Sequence, residues 1–352
     1  SRNNLAGAYE SAGDLSRAIP LYEQTLADRT RVLGADHPNT LTSCNSLAGA
    51  YEAAGDLGRA IPLYERTVAD RTRVLGPDHP DALTSRNNLA GAYESAGDLS
   101  RAIPLYEQTL ADRTRVQGAD HPDTLTSRNN LAGAYEAVGD LSLAIPLYEQ
   151  TLADRTQVLG ADHPNTLNSR NNLAGAYESA GDLGRAIPLY EQTLADQTRV
   201  QGADHPETLI SRSNLAYAYE SAGDLGRAIP LYEQTLADRT RVLGADHPST
   251  LISRNNLAHA YRGAADLGRA IPLFQETLAD RTRVLGADHP DTLISHNNLA
   301  GAYESAGDLG RAIPLYEQTL ANAERVLSPG HPMIATVRAN LERARSASGP
   351  SS

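Results

Sequence analysis

Apolar residues recur along this chain in stripes at helical spacing, and the stripes come in pairs. Between Pro80 and Ala96 the positions Leu83, Leu89, Ala90 and Tyr93 fall on one face of a helix. Between Leu99 and Gln117 a second stripe runs through Ala102, Ile103, Tyr106, Leu110 and Val116. Polar and special residues mark where each helix begins and ends. Asp78-His79-Pro80-Asp81 supplies a capping side chain, a proline in the first turn and acidic residues near the positive end of the helix dipole. Gly97 closes the first helix in the left-handed conformation, Asp98 caps the second, and Gly118 stops it. Pro104 fits least well: a proline inside a helix removes a backbone hydrogen bond and costs up to about 3 kcal/mol. A bend is expected there.

The same pair of stripes returns along the whole chain. Aligning on Gly-x-Asp-His-Pro places histidines at His37, His79, His121, His163, His205, His247, His289 and His331, a spacing of 42 residues throughout. Arg17–Pro38 recurs letter for letter as Arg227–Pro248. A fixed period of this length marks a solenoid, in which each unit buries its apolar face against its neighbours. The expected fold is therefore all-α: a right-handed α-solenoid of antiparallel helix pairs with a C-terminal capping helix. Residues 1–331 would form eight units, 332–347 the capping helix and 348–352 a small, polar, disordered tail. On the capping helix Met333, Ile334, Val337 and Leu341 share one face, while Arg338, Glu342, Arg343 and Arg345 are expected to face away. Ser1 falls in the interior of a unit, so the chain is expected to be part of a longer protein. In the seventh unit Ala265 stands where the others carry glycine, at a turn position expected to be left-handed.

Charge and composition narrow the partners. The net charge is −12 and the isoelectric point about 5.3, which argues against nucleic acid, whose binding needs clustered cations. All 31 cationic residues are arginine. The one cysteine, Cys44, permits neither a disulfide framework nor a cysteine metal site. No run approaches the roughly 18 apolar residues that span a bilayer. A cytoplasmic protein with no nucleic-acid or membrane partner is expected.

The spacing Leu89-Ala90-x-x-Tyr93, Gly97, Ala102, Tyr106 resembles the tetratricopeptide repeat. The 42-residue period, the loop L-G-x-D-H-P-x-T and the N-N-L-A that follows resemble its kinesin light chain subtype. Arg86 and Arg128 stand where that family usually has a large residue in the first helix, and Thr109 and Thr151 where it has a small one in the second. The resemblance implies that the first helices line a concave surface bearing Asn87, Gly91, Glu94 and Ser95, and that asparagines there hold the backbone of an extended peptide.

Candidate chemistry follows the same register. Each Asp-His pair, such as Asp120-His121, offers too few ligands for a metal, and stacked helices set equivalent atoms roughly 10 Å apart. Helix capping is the expected role, with no cofactor. A catalytic constellation is assembled once from different residues, and this chain repeats every feature, so no enzyme is expected. The tyrosines lie on the leucine stripe and read as core, and the stem of Arg86 reads as buried with its head at an edge. The asparagine rows either meet a peptide or bond between neighbouring repeats. Mid-helix Gly91 favours a groove, since such a glycine costs about 0.8–1.0 kcal/mol relative to alanine.

Two units depart from this surface. Tyr217 and His259 replace the glycine, Ile210 and Ile252 replace threonine, and Arg262 replaces a glutamate. These changes share one helical face and suggest a specialised pocket. The candidate partner-binding set is Asn171, Ile210, Asn214, Tyr217, Ile252, Asn255, Asn256, His259, Arg262 and Asn298. It would take a segment with an apolar anchor beside a carboxylate. The expected function is a non-enzymatic scaffold that binds a protein or peptide ligand, as the sensing or recruiting part of a larger protein. The alternative is a structural module, monomeric or self-associating end to end through its repeats.

Overall fold

The computed structural model describes residues 2–11 and 13–349; Ser1 and residues 350–352 of the expected tail lie outside them. The described residues form helices and turns in two compact units, one within 1–181 and one within 182–352. The first holds α1 (Arg2–Ser11), α2 (Leu15–Leu33), α3 (Pro38–Ala53), α4 (Leu57–Leu75), α5 (Pro80–Ser95), α6 (Leu99–Gln117), α7 (Pro122–Ala137), α8 (Leu141–Leu159) and α9 (Pro164–Ser179). The second holds α10 (Leu183–Val200), α11 (Pro206–Ser221), α12 (Leu225–Leu243), α13 (Pro248–Gly263), α14 (Leu267–Leu285), α15 (Pro290–Ser305), α16 (Leu309–Val326) and α17 (Pro332–Ser348).

Within each unit consecutive helices pack against one another, and α3, α5, α7 and α9, like α13, α15 and α17, also touch in succession. Each unit is thus an all-α solenoid of helix pairs, with the first helices of its repeats along one face. Short side chains set the spacing: Ala90, Ala92 and Ala102 are fully buried and let the backbones approach around Tyr93 and Tyr106. Every second helix from α2 to α16 runs unbroken through its internal proline.

The caps follow the expected scheme. His79 Nδ1 accepts the backbone N–H of Asp81 at 3.1 Å, and Asp98 accepts that of Arg101 at 3.2 Å. The aspartate of the Asp-His pair serves the neighbouring repeat: Arg115 donates through Nη1 and Nη2 to Asp78 at 3.0 and 2.5 Å. Both members of the pair are therefore engaged. No cluster of three or more metal-ligating side chains occurs among the described residues. Ala265 adopts φ 59°, the one positive value outside glycine among them.

Two expectations need correcting. Val116, placed in the core, stands in the last turn of α6 and is 42% exposed. The buried stripe of that helix is Ala102, Tyr106, Thr109 and Arg113. Thr109 is tolerated because its hydroxyl donates back to the Leu105 carbonyl at 2.7 Å. Arg113 is buried because its guanidinium donates to the Asp123 carbonyl and Ser127 Oγ, each at 2.8 Å, and to Thr84 Oγ1 at 3.0 Å. One arginine thereby ties three successive helices. Second, α17 continues to Ser348, so the helical part outlasts the expected boundary at 347. Arg343 and Arg345 are exposed on the outer face of that helix as expected, where they pair with Glu304 and Glu317.

Candidate functional site

The surface of the first helices is built on a recurring triad. The hydroxyl of Tyr106 would lie 3.4 Å from a Cβ at Gly91, and it donates to Glu94 at 2.8 Å. Gly133, Tyr148 and Glu136 repeat this, as do Gly301, Tyr316 and Glu304. The mid-helix glycine gives room to a tyrosine hydroxyl reaching a carboxylate, and in the sixth repeat Tyr217 takes the glycine position while Tyr232 still donates to Glu220 at 2.9 Å. The glycine is not by itself a sign of an open groove.

The seventh repeat changes all three members together. His259 stands for the glycine, Arg262 for the glutamate, and Phe274 for the tyrosine. Losing the hydroxyl removes the donor that the carboxylate served, and it frees the space the imidazole takes. The His259 and Phe274 rings meet edge to face at 5.0 Å. Arg262 lies over the same phenyl ring at 6.0 Å and donates to His259 Nδ1 at 3.1 Å. Burial lowers the His259 pKa to about 4, and the Arg262 charge acts in the same sense, so the imidazole is neutral at neutral pH. Burial also lowers the Arg262 pKa, opposed by Tyr316, Glu220 and Glu304. Its guanidinium stays charged, and no carboxylate among the described residues forms a salt bridge with it.

Around this cation opens a cleft of about 740 Å³ in the second unit, lined by Glu220, His259, Arg262, Asn297, Asn298 and Arg343, among others. Arg343 is held bidentately by Glu304, through Nε at 2.8 Å and Nη2 at 3.0 Å, which holds that carboxyl below its usual range. Arg343 thus has a carboxylate partner on one wall, while Arg262 feels Glu220 and Glu304 only at a distance.

The ten expected residues separate in space. His259, Arg262 and Asn298 line the cleft. Asn255 accepts a hydrogen bond from Asn298 Nδ2 at 3.0 Å, and Asn340 bonds Asn297 in the same way. Asn88 with Asn45 and Asn172 with Asn129 repeat the ladder in the first unit. The asparagine rows therefore link neighbouring repeats. Asn214 and Asn256 are half-buried on α11 and α13, and Asn171 is half-buried on α9, in the other unit. Ile210, Ile252 and Tyr217 stand outside the cleft lining and point to solvent, Tyr217 at 55% exposure.

Sequence reading passed over Phe274 and Ile294, and gave Arg343 a place on the outer face but none at a cleft. Phe274 is the one phenylalanine in the chain, in the repeat that also changes glycine and glutamate. Ile294 repeats Ile210 and Ile252 at the 42-residue period and is likewise exposed. The isoleucines have a structural consequence. Where threonine stands, as at Thr84 and Thr126, its hydroxyl accepts from the buried Arg113 or Arg155. With Ile210 in that place, Arg239 turns to the Leu209 carbonyl at 3.4 Å. A good partner of a buried cation is exchanged for an exposed apolar side chain.

The sequence profile of the tetratricopeptide repeat matches in seven overlapping stretches, 1–72, 45–115, 102–157, 129–197, 183–241, 223–281 and 265–325. The chain belongs to the tetratricopeptide repeat family, a class of protein-interaction scaffolds. Within it the protein is of the kinesin light chain-like type. It is 35% identical to a putative kinesin light chain of nearly identical TPR-like repeats from Podosopora anserina, over 59% of this chain and 98% of that one, with a TM-score of 0.52. BtubC (BKLC) from P. vanneervenii shares the fold at 22% identity, over 66% and 94% of the two chains, with a TM-score of 0.55. So does a STAND protein with a tetratricopeptide repeat sensor from Pyrococcus horikoshii, at 12% identity over 96% of this chain and 50% of that one, with a TM-score of 0.61. No curated relative matches the chain. No helix among the described residues is long and apolar enough to cross a membrane.

Proposed function

We propose that this scaffold is non-enzymatic and binds an extended protein segment along the first helices of its second unit, with a ligand carboxylate at Arg262. The observation that carries this reading is a half-buried guanidinium whose own repeat has exchanged the usual carboxylate for it, at the edge of a roomy polar cleft. The exposed stripe of Ile210, Ile252 and Ile294, with Tyr217, supplies apolar seats on the same helices. Asn298 keeps a carbonyl oxygen for a peptide N–H after its amide has donated to Asn255. The role fits the sensing or recruiting part of a larger protein, and an array of this fold serves as the sensor of the Pyrococcus horikoshii protein.

The test is selection from a displayed library of short peptides, run in parallel on the parent and on the triple variant His259→Gly, Arg262→Glu, Phe274→Tyr. That variant restores a triad the protein already builds six times, so it should fold. The parent should enrich peptides with a carboxylate next to an apolar side chain, and the variant should lose that enrichment. The same enrichment on both proteins would overturn the reading.

A further inference from the structure

A second feature lies in the first unit, away from the cleft. In six repeats the arginine three residues after the capping aspartate folds back over a tyrosine of the preceding helix. Arg17 covers Tyr9, Arg59 Tyr51, Arg101 Tyr93, Arg227 Tyr219, Arg269 Tyr261 and Arg311 Tyr303, with the guanidinium 4.1 to 4.5 Å from the ring centroid. In three of these seats two carboxylates complete the arrangement. Arg59 pairs with Asp56 at 2.5 Å and approaches Glu23 to 3.9 Å, and Glu23 also receives the hydroxyl of Tyr51. Arg227 and Arg269 are held in the same way. The chain thus shows repeatedly what this arrangement binds: a planar cation, flat on the ring, with its N–H edges on two anions.

The fourth repeat keeps the seat and lacks its occupant, because Leu143 replaces the arginine. Tyr135 still donates to Glu107 at 2.5 Å, and Asp140 still accepts from Ser142 Oγ at 2.6 Å and from the Leu143 N–H. No cation among the described residues pairs with either carboxylate. The hydrogen bond to Glu107, burial and the charge of Asp140 together push the Tyr135 phenol up to about 12. Leu143 is 45% exposed, and beside it opens a cleft of about 540 Å³, lined by Leu110, Leu131, Tyr135, Pro146 and Leu147 with Glu107 at its edge. Elsewhere the equivalent of Glu107 accepts a guanidinium from another direction: Glu317 takes Arg345 at 2.7 Å.

We propose that the Tyr135–Glu107–Asp140 seat receives an arginine side chain presented by a partner protein, while an apolar neighbour of that arginine enters the cleft against Leu143. Arginine suits the seat better than lysine, because only a flat guanidinium stacks on the ring while its edge reaches both carboxylates. The site is independent of the reading of Arg262, and neither stands or falls with the other.

The probe is the peptide acetyl-Leu-Arg-Leu-amide, with its citrulline counterpart as the uncharged control, titrated into protein carrying ring-labelled tyrosine. The Tyr135 signals are those missing from Tyr135→Phe. They should move saturably with the arginine peptide, and the citrulline peptide should bind about tenfold more weakly, equivalent to about 1.4 kcal/mol. Leu143→Arg rebuilds the sister repeats, so it should fold normally and abolish the response by filling the seat itself. Equal affinity for the two peptides, no saturable movement, or a response that survives Leu143→Arg would each overturn the proposal.

Discussion

The ring of His259 meets the ring of Phe274 edge-on, with their planes at 85°. These residues belong to different helices of one repeat, and their sisters in other repeats, except the sixth with its Tyr217 and Tyr232, are a glycine and a tyrosine whose hydroxyl nearly touches it. The two exchanges depend on each other. Phe274→Tyr alone would push a hydroxyl against the imidazole with no glutamate to receive it, whereas in His259→Gly, Arg262→Glu the same hydroxyl finds both space and acceptor. A double-mutant comparison by chemical denaturation should show Phe274→Tyr destabilising the parent by about 1 kcal/mol. In the Gly/Glu background the same change should be neutral or stabilising. Simple additivity would refute the coupling.

That pairing also shows what was legible in the sequence. The helix ends, the histidine caps and the left-handed turn at Ala265 could be read because each rests on local chemistry repeated at a fixed period. The partnership of Phe274 with His259 could not, because nothing in one sequence says that the tyrosine of the second helix reaches the glycine of the first. Arg113 was missed for a similar reason: an arginine is assigned to the surface unless one sees the carbonyl and hydroxyls that receive it. The place of Arg343 at the cleft was hidden differently. The last helix has drifted so far from the consensus that its register is visible only by counting back to Gly301.

The burial of His259 makes the second unit sensitive to acid. Its pKa is about 4 in the folded protein, against an ordinary value near 6.5, so the unfolded chain takes up the proton first as pH falls. The stability contributed by the neutral imidazole is whole above pH 6.5 and is lost progressively between 6.5 and 4. Arg262 faces the ring and adds to the shift, while Glu220 and Glu304 hold up the pKa of that arginine against its burial. His296, half-buried, shifts in the same direction. The slope of unfolding free energy with pH should therefore be shallower in His259→Gln than in the parent over that window, by at most about 1.4 kcal/mol per unit. Identical slopes in urea titrations at pH 7, 6 and 5 would show that His259 does not carry the effect.

Gln197 marks the weakest point of the buried arginine series. It lies 42 residues before Arg239, is fully buried, and leaves both side-chain polar atoms without a hydrogen bond. Arg239 at the same register donates to the Ser249 carbonyl and, at 2.7 Å, to Ser253 Oγ. An unsatisfied buried amide costs about 1–3 kcal/mol. Gln197→Arg places a longer donor within reach of the equivalent Glu207 carbonyl and Ser211, and should raise the melting temperature by several degrees, on the order of 2–4 °C per kcal/mol. Calorimetry showing a lower melting temperature would mean that the amide is better accommodated than its missing partners indicate.

The turn between α13 and α14 offers the simplest gain. Ala265 holds φ 59°, while Gly223 and Gly307 at the same register hold 77° and 74°. The Ala265 N–H donates to the Arg262 carbonyl at 3.0 Å and the Asp266 N–H to the Tyr261 carbonyl at 2.9 Å, so these two bonds fix the turn and the side chain has no freedom to relax it. In this conformation the Cβ of an L-residue crowds the following carbonyl, at a cost of about 1–2 kcal/mol. Glycine removes that crowding but gives back part of the gain through the greater freedom of its unfolded chain. Ala265→Gly should therefore stabilise the second unit by up to about 1 kcal/mol, and Ala265→Val should destabilise it by more than that, because a branched side chain worsens the same contact. Because glycine keeps the two backbone bonds of the turn, and with them the place of Arg262, the glycine variant should leave peptide selection at the cleft unchanged. A melting temperature for Ala265→Gly below that of the parent would show that the alanine is not strained at this turn.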